Sequence, residues 1–314
     1  MKRYTFLILF LVIDLYDLHA QQASSPYLAL VAKADALYEA KDYKGSALKY
    51  SEAFASNKGM GRVDDRYNAA CSWALAGETD SAFANLDRIV HKGKYANYEH
   101  IIKDTDLNSL HADKRWKKLV EKVKLNQAAA EAGYNKPLMT ELNQIFNDDQ
   151  SYRLKLDSVS KQYGRESKEV KDLWKTISYK DSIDLVKVKG ILDQHGWLGA
   201  NEVGDRGNLA LFLVIQHADI ATQVKYLPMV REAVKAGKAQ PSSLALLEDR
   251  VALRQGKKQI YGSQISVDSK TGKATISPIE DEPNVNKRRA SVGLQPLEDY
   301  VKQWGIDYHL PKAQ

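Results

Sequence analysis

The same helical text is written twice in succession near the start of the chain. From Tyr27 to about Ala55 it reads YLALVAKADALYEAKDYKGSALKYSEAFA, and the pattern returns in RYNAACSWALAGETDSAFANLDRIV. Ala70, Trp73, Gly77, Ala82, Leu86 and Ile89 fall where Ala34, Leu37, Lys41, Ser46, Tyr50 and Ala53 fell, an offset of 36 residues. Within each copy the apolar and small residues share helical faces, with Leu30, Ala34, Leu37 and Tyr38 on one side of a break at Asp42-Tyr43 and Ser46, Tyr50 and Ala53 on the other. That pattern predicts pairs of antiparallel helices. A recurrence of this length constrains the fold, because each unit is one hairpin that buries its apolar face only against a neighbour.

The spacing and the small residues at Ala34, Ser46, Ala70 and Ala82 resemble the tetratricopeptide repeat, whose paired helices approach closely at such positions. Two departures stand out: Lys33 occupies a position where leucine is usual, and no proline closes either copy. A weaker third unit follows, in which Ile101, Ile102, Leu107, Leu110, Trp116, Leu119 and Val123 are expected to form a hairpin that caps the array. Cys71, beside Ala70 and Trp73, reads as a buried structural thiol.

Lys2 and Arg3, the apolar run Phe6 to Ile13 and the small Ala20 follow the order of a secretory signal peptide over residues 1–20. The run is shorter than the roughly 20 residues of a spanning helix, and no later stretch is long enough to span after cleavage. The expected location is therefore secreted or periplasmic, in a bacterial cell envelope. Export normally favours disulfides, but the single cysteine allows none within the chain, so stability must come from burial. The net charge of +6 suits solubility and anionic surfaces, and no nucleic-acid-binding motif accompanies it.

Two domains are expected: a repeat domain over 27–127 and a helical domain over 136–310, divided by AAAEAGYNKP. Helical periodicity runs through 138–163 and 166–195, and a glycine-rich turn, GWLGANEVGDRGN, precedes the apolar LALFLVIQHA, read as a buried helix. Helices are expected from Ile220 to Ala236 and from Ser242 to Gln255. QIYGSQISV and KATISPI, joined by DSKTG, then read as a β-hairpin near 259–279, with Gln259 and Tyr261 on one face of its first strand. Short helices close the chain. The fold class is thus mainly α: tetratricopeptide-like hairpins, then a helical domain with one small β-hairpin.

Five polar words interrupt the apolar text of the second domain: DDQSYR at 148–153, GW at 196–197, IQHAD at 215–219, LEDR at 247–250 and QIYGSQ at 259–264. Together they resemble a bacterial domain family of unknown function whose members share D-Q-x-x-R, G-W, Q-H-A-D, L-x-D-R and Q-x-Y-G-T-Q in this order. The resemblance covers about residues 137–305, and Ser263 stands where threonine is usual. It implies a boundary and a set of residues rather than an activity.

Charged groups embedded in apolar helices need partners, so these words are expected to converge. One arrangement makes His217, Asp249 and Arg250 catalytic, the histidine as general acid or base and the arginine on an anionic group. Asp149, Gln150, Arg153, Gln216, Asp219, Gln259, Tyr261 and Gln264 would then line the ligand. The competing arrangement is a polar network that fixes helix packing. His217, Asp219 and Asp249 fall short of a clear metal-ligand set, and neither a metal nor another cofactor is expected. Lys287 to Arg289 reads as a solvated basic face. Two functions remain open: an interaction module that binds a protein or peptide in the repeat groove beside a polar ligand site, and an exported hydrolase.

Overall fold

The computed structural model describes residues 26–268 and 271–311, and the expected signal peptide lies outside them. Among the described residues the chain is mainly α, with a single two-stranded sheet, and no helix is long and apolar enough to cross a membrane. It divides into two compact units, residues 26–133 and 134–311.

The first unit opens with α1 (Pro26–Glu39) and α2 (Tyr43–Ser56), followed by α3 (Val63–Leu75) and α4 (Thr79–His91). The break at Asp42 is a cap: its carboxylate accepts from the Gly45 amide at 2.9 Å and satisfies one of the free donors that begin α2. Gly77 turns the second hairpin with φ of +78°, a conformation that costs glycine nothing. Ala34, Ala47, Ala53, Ala70 and Ala82 are fully buried, so the helices meet at their smallest residues while Tyr50, Phe83, Leu86 and Ile89 fill the space around them. The expected third hairpin has a shorter first arm. α5 (Tyr98–Lys103) stops at Asp104, whose side chain accepts from the Asp106 amide and starts a 3-10 turn over Thr105–Leu110. α6 (Lys114–Ala130) completes it, with Trp116, Leu119 and Val123 packed against Ile101, Leu107 and Leu110.

The second unit contains α7 (Lys136–Arg153), α8 (Leu156–Tyr163), α9 (Lys168–His195), α10 (Ala200–His217), α11 (Ile220–Lys235) and α12 (Pro241–Arg254). After them come β1 (Ile265–Val267), β2 (Ala274–Ile276), α13 (Val285–Ser291) and α14 (Leu297–Val301). α10 is the central helix. Residues 210–216 are all buried, and α7, α9, α11 and α12 pack around it.

Three expectations are corrected here. The periodic stretch 138–163 is two helices, α7 and α8, because the chain turns at Leu154 and Lys155 to send Leu156 into a separate cluster with Val170 and Ile177. The glycine-rich text before LALFLVIQHA is already helix from Ala200, held by Glu202, which accepts from the Gly199 amide at 2.8 Å, and kinked at Gly204 with φ of +74°. The hairpin pairs only Ile265 with Ile276, Ser266 with Thr275 and Val267 with Ala274. Gln259 makes an isolated parallel bridge with Ile279, and Tyr261 and Gln264 lie in the loop between it and β1, not on a strand face.

Candidate functional site

Gln216 and His217 end α10, and the helix delivers the imidazole to α7. His217 Nδ1 lies 2.8 Å from Asp149 Oδ1, with side-chain exposures of only 3% and 2%. Gln150 donates to the other Asp149 oxygen at 2.7 Å. One helical turn further along α7, Arg153 comes within 3.3 Å of Asp149 Oδ1, donates to the Asp149 carbonyl at 3.1 Å, and forks onto Asp181 of α9 at 2.8–2.9 Å. Burial pushes the His217 imidazole down further than the neighbouring carboxylate raises it, and the charges of Arg153 and Arg250 act in the same direction as burial. Burial acts on the Asp149 carboxyl in the upward sense, but His217, Arg153 and Gln150 outweigh it and hold the group below the usual carboxylate range. Both directions describe a neutral ring that donates its Nδ1 proton to an ionised carboxylate. Among the described residues, nothing hydrogen-bonds to Nε2.

The remaining polar words build a second cluster. Asp249, fully buried on α12, accepts from the amides of Ile260 at 2.6 Å, Tyr261 at 2.9 Å and Ser263 at 2.9 Å. Those amides are thereby unavailable to a strand ladder, which explains why the hairpin starts late. Gly262 lets the loop curl, with φ of +69° and space so tight that a Cβ would come within 2.9 Å of Ile279. Gln259 clamps the same loop, donating to the Gln264 and Ser277 carbonyls and accepting from the Gln264 amide at 2.8 Å. Arg250 joins the clusters: its Nη1 donates to the Gln216 carbonyl at 2.8 Å and its Nε to Gln264 Oε1 at 3.1 Å.

Asp249 is thus not the partner of His217; that role belongs to Asp149, and Asp249 and Arg250 spend their polar atoms on backbone and amide groups. Asp219 stands apart as the N-cap of α11, accepting from the Thr222 amide and hydroxyl. With Ile220, Leu253 and Arg254 it lines an open depression of about 390 Å³. Tyr261 contributes its main chain to the Asp249 cluster, and its carbonyl accepts from Arg289 at 2.7 Å.

A model of a family of unknown function, DUF6624, matches residues 138–311, more than half of the chain. The chain belongs to that family. No curated protein and no solved structure matches it. The five polar words all fall inside the DUF6624 region, and the geometry gives four of them two jobs: Asp149, Arg153 and His217 form a hydrogen-bonded clamp between α7, α9 and α10, while Asp249, Arg250, Gln259 and Gln264 fasten a loop to α12. The fifth, GW, ends α9 at Gly196 and buries Trp197.

Several residues of this DUF6624 domain escaped the sequence reading. Arg289 is not part of a solvated face: it is 1% exposed, donates to the Gln295 carbonyl at 2.6 Å as well as to Tyr261, and lies over the Tyr300 ring. Arg288 caps the Ile260 carbonyl at 2.9 Å, which leaves Lys287 as the exposed member of the three. Tyr300 donates to the Ser263 carbonyl at 2.8 Å. Asp181 and Asp184 sit in ordinary helical text, YKDSIDLV, where nothing in the local pattern separates a buried acid from a surface one. Asp184 is 1% exposed, and neither oxygen has a hydrogen-bond partner among the described residues. Burial, with the charge of Asp148 next, pushes it up to about 6.

Proposed function

We propose that the chain is an exported cell-envelope protein whose tetratricopeptide-like hairpins engage a protein or peptide and whose DUF6624 domain binds a polar ligand at His217. The leader pattern of Lys2, Arg3, the apolar run and Ala20 supports export. The stacked helical hairpins support partner binding, since arrays of this kind present extended binding faces.

The ligand site rests on one contact: His217 Nδ1 lies 2.8 Å from Asp149 Oδ1, and a neutral ring that donates there leaves the Nε2 lone pair uncommitted. Nε2 is not among the fully enclosed polar atoms, so an acceptor at that nitrogen is open to a ligand that brings an O–H or N–H to it. Arg153 is offset by Asp149 and Asp181, but Arg250 bonds only to neutral groups among the described residues, and its charge favours a ligand that is also anionic. Ring resonances of ¹⁵N-labelled histidine test this directly. At pH 7, His217 should carry its proton on Nδ1, and Nε2 should shift when short envelope peptides or glycan acids are added. A ring protonated on Nε2 would remove the acceptor and with it the site.

Acid–base chemistry is the second reading, favoured by the same carboxylate–imidazole order, in which Asp149 orients the ring and Nε2 takes a proton from water or from a substrate hydroxyl. It replaces Asp249 by Asp149 as the partner of His217 in the hydrolase arrangement. Chromogenic esters, phosphates and glycosides are the first substrates to try, with His217→Gln expected to lower turnover by about 100-fold or more. Turnover equal in the variant would sink it.

A further inference from the structure

A second polar cluster lies in the hairpin unit, far in sequence from the DUF6624 words. Cys71 on α3, Asp104 between α5 and the 3-10 turn, and Asp106 within that turn place one ligand atom each within 4.8 Å of one another. Cys71 Sγ lies 3.7 Å from Asp104 Oδ2, and His100 Nε2, on α5, lies 3.9 Å from the same oxygen. For a tetrahedral zinc ion with bonds of about 2.0 Å to oxygen and nitrogen and about 2.3 Å to sulfur, the ligand atoms stand about 3.3–3.5 Å apart. The Cys71–Asp104 separation is within a few tenths of an ångström of such an edge; the His100–Asp104 separation is about half an ångström longer, and Asp106 lies within 4.8 Å, so the set would have to contract around an ion.

The surroundings match what such ligands require. Tyr67 donates to Asp104 at 2.9 Å and Tyr38 donates to Asp106, so both carboxylates have outer partners. The His100 ring is stacked on Tyr67 at 4.7 Å, and its Nδ1 is 2.7 Å from the Tyr95 hydroxyl, which leaves Nε2 as the nitrogen on the cluster side. Cys71 is buried, and the 3.7 Å contact with Asp104 is the only side-chain hydrogen bond its thiol makes among the described residues. Two carboxylates and a thiol thus converge, and among the described residues no lysine or arginine is paired to them and His100, charged only if protonated, is the one ion-pair partner.

We infer that Cys71, Asp104 and Asp106 bind a divalent transition-metal ion of zinc-like chemistry, with His100, whose half-exposed ring would turn from Tyr95 toward them, as the fourth ligand. One thiolate, two carboxylates and an imidazole make a borderline donor set that favours zinc over calcium or magnesium. Binding exchanges the thiol proton for the metal: the Cys71 S–H bond breaks, the proton leaves to solvent, and the sulfur lone pair forms the metal bond. The ion ties α3 to α5 and the following turn, so it staples the capping unit, which has the shortest helix of the array. This departs from the sequence reading, in which Cys71 was a packing residue and no metal was expected.

The test uses the full chain, purified with chelator and then titrated with Co²⁺ and Zn²⁺. Cobalt should give one equivalent of a thiolate-to-metal charge-transfer band in the near ultraviolet, and Zn²⁺ should displace it. Cys71→Ser should abolish the band, and Asp106→Asn, at a half-buried position that spares the core, should weaken Zn²⁺ binding by about tenfold or more. Absence of the band from the unsubstituted protein would overturn the assignment without reliance on any variant. So would Zn²⁺ affinity that is unchanged in Asp106→Asn.

Discussion

The two units bury charge in different proportions: the hairpin unit encloses Asp65 and Arg66, and the DUF6624 domain encloses more. In the hairpin unit, close approach is achieved by alanines at the helix contacts, and the polar groups at those contacts are small, as where Ser46 and Ser72 meet at 3.0 Å. In the DUF6624 domain, full charges go inside: Asp149, Arg153, Asp184, Asp249, Arg250 and Arg289 are all buried. Most are discharged onto backbone groups or onto one another. The first unit should therefore be sensitive to side-chain volume and tolerant of lost polar contacts, and the second the reverse.

The largest effect is expected at Asp249. Asp249→Ala strands three amides at once, one on buried Ser263 and two on half-buried Ile260 and Tyr261, and a loss of about 3 kcal/mol is expected from breaking such a network. Urea unfolding, with hydrogen exchange to assign the loss to the second unit, is the measurement; a loss below about 1 kcal/mol would show that water replaces the carboxylate. Next is Ala70→Leu, which forces a large side chain between packed helices and should destabilise the hairpin unit by about 1–3 kcal/mol. If it were neutral, the close approach at alanine would not hold those helices.

Asp184→Asn should act in the other direction. Its folded-state value of about 6 exceeds the usual 3.8, so the group stabilises the fold below about pH 4 and loses that contribution as the pH rises through 6. At pH 8 the variant should be more stable than the parent by about 1–2 kcal/mol, after allowance for screening by nearby water, and the two should converge below pH 4. A pH-independent difference would mean that Asp184 is paired in solution. The smallest effect is expected from Ser46→Ala, about 1 kcal/mol or less, because Ser72 keeps its bond to the Asn68 carbonyl at 2.9 Å.

This contrast also decides what could be read from the residues alone. The hairpins were legible because helical periodicity and the recurrence from Ala34 to Ala70 are local signals that the packing uses directly. The breaks at Leu154 and at Gly204 were not, since they depend on which distant residue each turn meets. Within the candidate site the members were legible and the pairing was not: His217, Asp149 and Asp249 were all singled out, yet sequence carries no record of which carboxylate reaches the ring. Asp249 looked like a catalytic partner because its three acceptor bonds go to amides, which every residue but proline has, and which therefore leave no mark on composition. Arg289 was hidden for the related reason that its neighbours Lys287 and Arg288 are less buried, and a run of like charges reads as one surface.

The grip of Asp249 on Ile260, Tyr261 and Ser263 also turns chain length into a measured quantity. The carboxylate sits on a helix and the amides on the segment that leaves it, so the number of residues between them is fixed by the reach of one side chain. A single residue inserted or removed between Arg254 and Gln259 would bring the wrong amides to the carboxylate and carry Gly262 out of its tight seat against Ile279. Loops ordinarily absorb changes of length. This one should not, and the spacing from the aspartate of LEDR to the glycine of QIYGSQ becomes a ruler by which a sequence can be judged able to build the domain.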